Sequence, residues 1–296
     1  LPGNMALGAT RSTQLARQAG EVLGRELAAM GINVDYAPCA DVNINPQNPV
    51  VGIRSFGEDP ETVAQLTAAM VEGIQSQGVA ATAKHFPGHG DVAQDSHYGL
   101  PTLPQGLERL EKVEFRPFRS AIKADAKLVM TAHISLTALD GPDAPPATLS
   151  RNILQSLLRQ HLGFKGVIVT DAMDMRAIRQ GEFLGHEAIR AAQAGADLLL
   201  LTTDPLDQER VANALTQALQ DGQLDRNELQ TSISRILALK NWLAEHALQP
   251  DLTVVGCTEH RQIAQSIAEK SITLVRDRKK LIPIHLEADQ RIAVIL

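Results

Sequence analysis

Five short, near-continuous apolar runs punctuate the chain, at residues 32–42 (INVDYAPCADV), 79–86 (VAATAKHF), 127–135 (KLVMTAHIS), 166–173 (GVIVTDAM) and 197–203 (DLLLLTT). Runs of this length without inside–outside alternation fit parallel strands buried on both faces. Polar loops lead from them into longer segments with helical period. One begins at Asp59, where Asp-Pro-Glu supplies an N-cap, a proline at the first helical position and an acid in the first turn. Val63, Leu66, Met70 and Ile74 then mark one apolar face as far as Gly78. A second segment, from Ser150, carries Ile153, Leu154, Leu157 and Leu158 and stops near Gly163.

Strand and helix alternate at roughly 30 to 45 residues per unit, which predicts an α/β fold with a parallel sheet. Both a doubly wound sheet and an eight-stranded barrel fit that rhythm, so the positions of the reactive residues must discriminate. Asp41, Lys84-His85, His133 and Asp171 each end a different strand, where a barrel gathers its functional groups. The expected fold is therefore a (β/α)8 TIM-type barrel whose first strands are missing. From about Asp204 to Leu248 the pattern is helical, HALQPDLTVVG then breaks the period, and EHRQIAQSIAEKSITLVRD reads as a helix running into a strand. We expect a barrel domain over residues 1–246, a linker over 247–258 and the start of a second domain over 259–296. The chain begins at Leu1 and stops inside RIAVIL, a half-strand by its pattern, so a piece of a longer protein is expected.

Composition narrows the partners. With 44% hydrophobic and 21% charged residues, and no apolar run near the roughly 20 residues that span a bilayer, the chain reads as globular with a large core. A net charge of -6 lacks the clustered cationic excess that a nucleic-acid surface needs. Cys39 and Cys257 lie far apart with no CxxC spacing, so neither a disulfide framework nor a cysteine zinc site is indicated. The compartment stays open.

The densest chemistry lies in KHFPGHGDVAQDSH, residues 84–97, which holds three of the nine histidines. His85 and His89 are four apart, the spacing by which two histidines on a helix face bind zinc. Pro87 and Gly88 between them oppose a helix, so a metal site built on His85, His89 and Asp91 or His133 would need loop ligands. A surface loop whose histidines do nothing is the bland reading. A third assigns Asp95-Ser96-His97 as a general acid/base, since an aspartate two residues away can fix the histidine tautomer and raise the basicity of its other nitrogen. Asp171 is then either a nucleophile or charge stabiliser on another strand, or simply the N-cap of the next helix.

KHFPGHGDVAQDSH, together with GIRSFGEDP at 52–60 and GVIVTDAMDM at 166–175, closely resembles the family 3 glycoside hydrolases, and within them the β-N-acetylglucosaminidases. LPGNMALGAT at the start and AEKSITLVRD at 268–277 are similar to the same family, the latter to the entry into the α/β sandwich domain of its two-domain members. DSH selects the glucosaminidase branch, because many family 3 β-glucosidases lack that loop. The resemblance implies Asp171 as nucleophile, His97 as acid/base oriented by Asp95, and Arg54, Lys84 and His85 as sugar-binding residues. The family's strand-2 motif, an acid followed by Gly-Gly and an arginine, would lie before Leu1, so the chain is expected to lack part of its sugar-binding shell and two barrel strands.

Retaining glycoside cleavage usually employs two carboxyl groups roughly 5 to 5.5 Å apart; here a histidine would replace one of them. A neutral base repels an incoming anion less than a carboxylate does, which leaves phosphate a conceivable acceptor. The expected activity is a retaining exo-β-N-acetylglucosaminidase acting on chitooligosaccharide or peptidoglycan-derived GlcNAc, with neither metal nor organic cofactor. The alternatives are a β-N-acetylglucosaminide phosphorylase, a metal-dependent barrel hydrolase, and a non-catalytic sugar-binding protein that keeps Arg54, Lys84 and His85 without needing Asp171.

Overall fold

The computed structural model describes residues 1–178, 184–201, 203–285 and 291. Two helices open it, α1 (Asn4–Thr10) and α2 (Thr13–Ala29), the second capped by Ser12, whose hydroxyl accepts the Leu15 N–H. Then come β1 (Val34–Asp35), α3 (Pro60–Gln75), β2 (Ala80–Phe86), α4 (Leu107–Lys112), α5 (Phe115–Lys123) and β3 (Leu128–Thr131). A short α6 (Thr137–Asp140) and a wide helix of π type over Asn152–His161 lead into β4 (Val167–Val169). Helices α7 (Leu184–Ala194), α8 (Pro205–Gln220), α9 (Arg226–His246) and α10 (Thr258–Ser271) complete the described elements. The expected cap is in place, the Asp59 carboxylate accepting the Thr62 N–H at 2.8 Å, and Asp204 and Asp225 cap α8 and α9 in the same way. None of these helices is long and apolar enough to cross a membrane.

The four strands are all parallel and lie in sequence order, β1-β2-β3-β4. A doubly wound sheet reverses its order at a switch point; a sequential order is that of a barrel wall. The run at 197–203, expected to be a strand, forms one bridge among its described residues, Leu198 to Val169. Its ladder is broken because the Leu200 N–H donates to the Thr170 hydroxyl instead of a neighbouring backbone oxygen. Likewise no strand follows α10 among the described residues, where Ile272, Leu274 and Val275 are exposed. The half-strand expected in RIAVIL falls on residues 292–296, outside the described set.

The strands divide two apolar layers. Ala81, Ala83, Val129 and Ile168 join the large core with α2, α3 and α5, whereas Ala80, Leu128, Met130, Val167 and Val169 face the other way and meet Leu239. Helix α9 crosses that second face at the strands' N-terminal ends. Arg235 pairs with Asp197 at 3.1 Å, Lys127 Nζ lies 4.8 Å over the Trp242 ring, and the Gly78 backbone abuts the His246 carbonyl. Asp197 is buried and also accepts Arg159 at 2.5 Å and the Ile168 N–H at 2.8 Å, so one carboxylate fastens this end. Helix α10 rests on the opening helices: Ile267 is fully buried, and His260 Nδ1 meets Glu26 Oε1 at 2.6 Å.

Helices α2 and α3 approach backbone to backbone. A Cβ on Gly73 would lie 2.2 Å from the Arg17 carbonyl oxygen and 3.0 Å from the Gly20 Cα, and one on Gly20 would lie 2.5 Å from the Met70 oxygen. Alanine is intrinsically better than glycine inside a helix by about 1 kcal/mol, but here the obstacle is rigid backbone and the helices must separate. We expect Gly73→Ala to destabilise the protein by about 1–3 kcal/mol, the usual range for overpacking. Denaturant unfolding should give a lower midpoint at unchanged slope; a stabilised variant would mean that the helices part freely.

Candidate active site

Where β2 ends, its residues sort onto opposite faces. Lys84 shares parity with Ala80, on the α9-covered face, and its ammonium lies near enough to Asp35 to oppose the rise that burial imposes on that carboxyl. The pairing register shifts between Ala83 and Phe86, and the chain then turns back through Gly88 and Gly90. Gly90 packs against the Val42 carbonyl so closely that a Cβ would sit 1.9 Å from its oxygen.

The Asp41 carboxylate organises this turn. Its Oδ1 accepts the backbone N–H groups of His89 (2.7 Å) and His85 (3.2 Å), and its Oδ2 meets His85 Nδ1 at 2.7 Å and the Cys39 thiol at 3.1 Å. Its complete burial alone would raise its pKa; the adjoining His85 ring charge and hydrogen bonds, followed by those of His89, overcome this and hold it at about 2. The Asp41 carbonyl also accepts the Ser55 hydroxyl at 2.6 Å, tethering the turn that carries Arg54. Arg54 itself is exposed, with its Nε on the Val50 carbonyl at 3.0 Å.

The Asp95–His97 pair exists as expected. Asp95 Oδ1 accepts the His97 N–H at 2.8 Å and lies 2.7 Å from its Nδ1, and these contacts hold the Asp95 carboxyl below its ordinary value in spite of partial desolvation. Asp95 fixes a hydrogen on Nδ1 and leaves Nε2 free to exchange a proton. The His97 side chain is 60% exposed. Ser96, between the two, is buried; its hydroxyl lies 3.1 Å from His89 Nε2 and its carbonyl accepts the Ala177 N–H at 3.2 Å. That last bond ties the loop to the segment after Asp171.

Asp171 stands half-buried at the end of β4 and turns one oxygen to the Ala172 N–H at 2.8 Å. Its charge reaches His133 and His89, in each case opposing the fall in pKa that burial causes. His133 Nε2 lies 2.9 Å from the Ala172 carbonyl, which can only accept, so that nitrogen carries the hydrogen. Its Nδ1 takes the Thr148 hydroxyl at 2.8 Å.

The ligand set considered from the sequence is not gathered. His133 has both ring nitrogens engaged, His89 faces Ser96, and Asp91 accepts Gln105 at 3.3 Å and pairs with Arg109 at 3.5 Å. Among the described residues the compact donor group is instead Cys39, Asp41 and His85. Its thiol and imidazole already bond Asp41, and burial followed by the Asp41 charge pushes the Cys39 thiol far above its ordinary range.

The family model described as glycosyl hydrolase family 3 N terminal domain matches residues 1–239. The β-hexosaminidase A of Pseudoalteromonas piscicida is 36% identical over 93% of this chain and 50% of its own length. The solved family 3 β-N-acetylglucosaminidase from Paenibacillus sp. str. FPU-7 superposes with a TM-score of 0.89 at 44% identity, over 95% of this chain and 54% of that one. A β-glucoside phosphorylase, BglX, superposes with a TM-score of 0.88 at 30% identity, over 96% of this chain and 53% of that one. The chain thus spans about half the length of these relatives, and its arc of sequential parallel strands is part of a TIM-type barrel.

Behind the turn sits a carboxyl that the sequence reading passed over. Glu114 is buried, with Oε1 on Arg109 at 3.2 Å and Oε2 unpartnered; a Cβ on Gly88 would lie 2.8 Å from its own Cβ. Burial raises its pKa to about 7 although Arg109 opposes the shift. Between the unfolded and folded pKa values the unfolded chain is ionised while the folded one holds the proton, so stability falls as pH rises from about 4.5 to about 7. Glu114→Gln keeps an acceptor for Arg109 and removes this slope. At pH 8 it should be the more stable by about 2–3 kcal/mol, with the gap closing near pH 4.5. Thermal unfolding across that range tests this, and a pH-independent difference would refute it.

Proposed function

The chain belongs to glycosyl hydrolase family 3, matched through the family's N-terminal domain, and from that premise we propose that it is the barrel part of a retaining exo-β-N-acetylglucosaminidase. It would release terminal GlcNAc from chitooligosaccharides or peptidoglycan fragments, with residues beyond about 258 leading into a second, α/β sandwich domain. The observation that carries the reading is the 2.7 Å contact between Asp95 and His97 Nδ1. It gives the loop an imidazole with one nitrogen fixed and the other open to solvent, which is what a proton carrier to a leaving group requires.

In this reading Asp171 attacks the anomeric carbon as His97, cationic, gives its Nε2 proton to the departing glycosidic oxygen. The bond from carbon to that oxygen breaks as the ester to Asp171 forms. Neutral His97 then takes a proton from water, whose oxygen replaces the carboxylate at the anomeric carbon. Asp95 supports both protonation states by accepting Nδ1–H throughout. Arg54, Lys84 and His85 bind the sugar hydroxyls; for His85, the 2.7 Å bond from Nδ1 to Asp41 leaves Nε2 as the nitrogen for substrate.

Phosphorolysis is the second reading, favoured by the likeness to a β-glucoside phosphorylase and by a neutral base that does not repel phosphate. Against it stand Asp91 and Asp95, whose charges flank the loop an anion would approach. Two experiments on the full-length protein decide. A slow fluorinated GlcNAc substrate should leave its adduct on Asp171 when peptides are mapped by mass spectrometry; an adduct elsewhere removes Asp171 as nucleophile. With an aryl β-GlcNAc and rising phosphate, free GlcNAc should remain the main product. GlcNAc 1-phosphate, formed at a rate that climbs with phosphate, would make the protein a phosphorylase.

A further inference from the structure

The acid/base pair is held from underneath by residues to which the reaction above gives no role. Asp95 and His97 face outward, whereas Ser96 between them turns inward and is only 2% exposed. It meets His89, itself 3% exposed, through the 3.1 Å contact between its hydroxyl and Nε2. His89 cannot drift: its backbone N–H is fixed to Asp41 at 2.7 Å, and Gly90 beside it is wedged against Val42.

The ring's tautomer follows from what it lacks. Burial lowers the His89 pKa, so the ring is neutral and carries one hydrogen. Nδ1 is buried without a partner. Orphaned buried N–H groups are rarer than orphaned acceptors, so the hydrogen belongs on Nε2, and His89 donates it to Ser96 Oγ.

We propose that this bond is a latch, and that His89 and Ser96 are positioning residues that set where His97 stands over the substrate. The proposal rests on the reading of His97 as acid/base. Without the serine hydroxyl the His89 N–H loses its partner, the Asp95–His97 turn keeps the Ser96 carbonyl bond to Ala177 but not its tie to His89, and the imidazole spends less time in its proton-transfer pose. The latch therefore matters in proportion to how much the leaving group needs a proton.

Leaving-group dependence provides the test, because kcat/KM reports the steps through cleavage of the glycosidic bond. Full-length Ser96→Ala should lose roughly 5- to 30-fold in kcat/KM on chitobiose, the span associated with one hydrogen bond. On 2,4-dinitrophenyl β-GlcNAc, whose leaving group departs without a proton, it should lose less than twofold. Ser96→Thr, which keeps the hydroxyl, should restore most of the chitobiose rate and guards against a general effect of altering the loop. His97→Ala separates the two layers of the argument. If it loses equally on both substrates, the acid/base reading itself is wrong. If it shows the leaving-group split while Ser96→Ala loses evenly on both substrates, or on neither, the latch is overturned.

Discussion

A carboxylate taken wholly out of water costs several kcal/mol unless its oxygens are matched by donors, and Asp41 is such a carboxylate. Four donors converge on it: two backbone N–H groups of the turn after β2, the His85 imidazole and the Cys39 thiol. Because they come from the Cys39 segment and from both ends of the turn between His85 and His89, the electrostatic need of one buried charge becomes a geometric constraint on several groups. His85 is oriented, the turn through His89 is closed, and through the Asp41 carbonyl the segment bearing Arg54 is drawn in by Ser55. Removing the negative charge would leave buried N–H and S–H groups without a partner of equal strength, so this arrangement holds as a unit.

The opposite end of the strands has its own buried carboxylate. Asp197, matched by Arg159, Arg235 and the Ile168 N–H, ties α9 across the strand N-termini, where no candidate site residue lies. The described wall is thus pinned at one end and carries the candidate site at the other, the division of a TIM-type barrel, in which stability is built at the N-terminal face and chemistry at the C-terminal face. Polar groups accumulate at Asp41, His85, His133 and Asp171 because those positions lie just where the apolar ladders stop.

Much of this was legible in the sequence because it depended on local signals. The runs around Ala80–Phe86, Leu128–Thr131 and Val167–Val169 are strands, and Asp59 is a cap. The Asp95–His97 bond spans two residues and needs only a turn. What escaped reading depended on partners far along the chain. The run at 197–203 has strand composition, yet Thr170 interrupts its ladder. His89, by its spacing from His85, and His133, by residue type, looked like ligands; Ser96 and Thr148, which occupy them, are seven and fifteen residues away. Asp41 could be placed at a strand end, but its four donors could be counted only once two strand ends had met. Glu114 sits in a charged stretch, LERLEKVEFR, that gives no hint of its burial behind Gly88.

In the proposed reaction, the contrast between the buried and exposed groups also accounts for a histidine where glycosidases of that mechanism usually place a second carboxyl. A carboxyl group must be partly desolvated to keep a proton near neutral pH, which calls for a built, enclosed pocket. Imidazole titrates close to neutrality in water, so it can serve from an exposed loop with a single oriented partner. His97 is 60% exposed and held by Asp95. In the proposed reaction the rigid, desolvated part of the site serves binding and Asp171, while proton transfer falls to a loop whose buried Ser96 joins it to the framework that Asp41 organises.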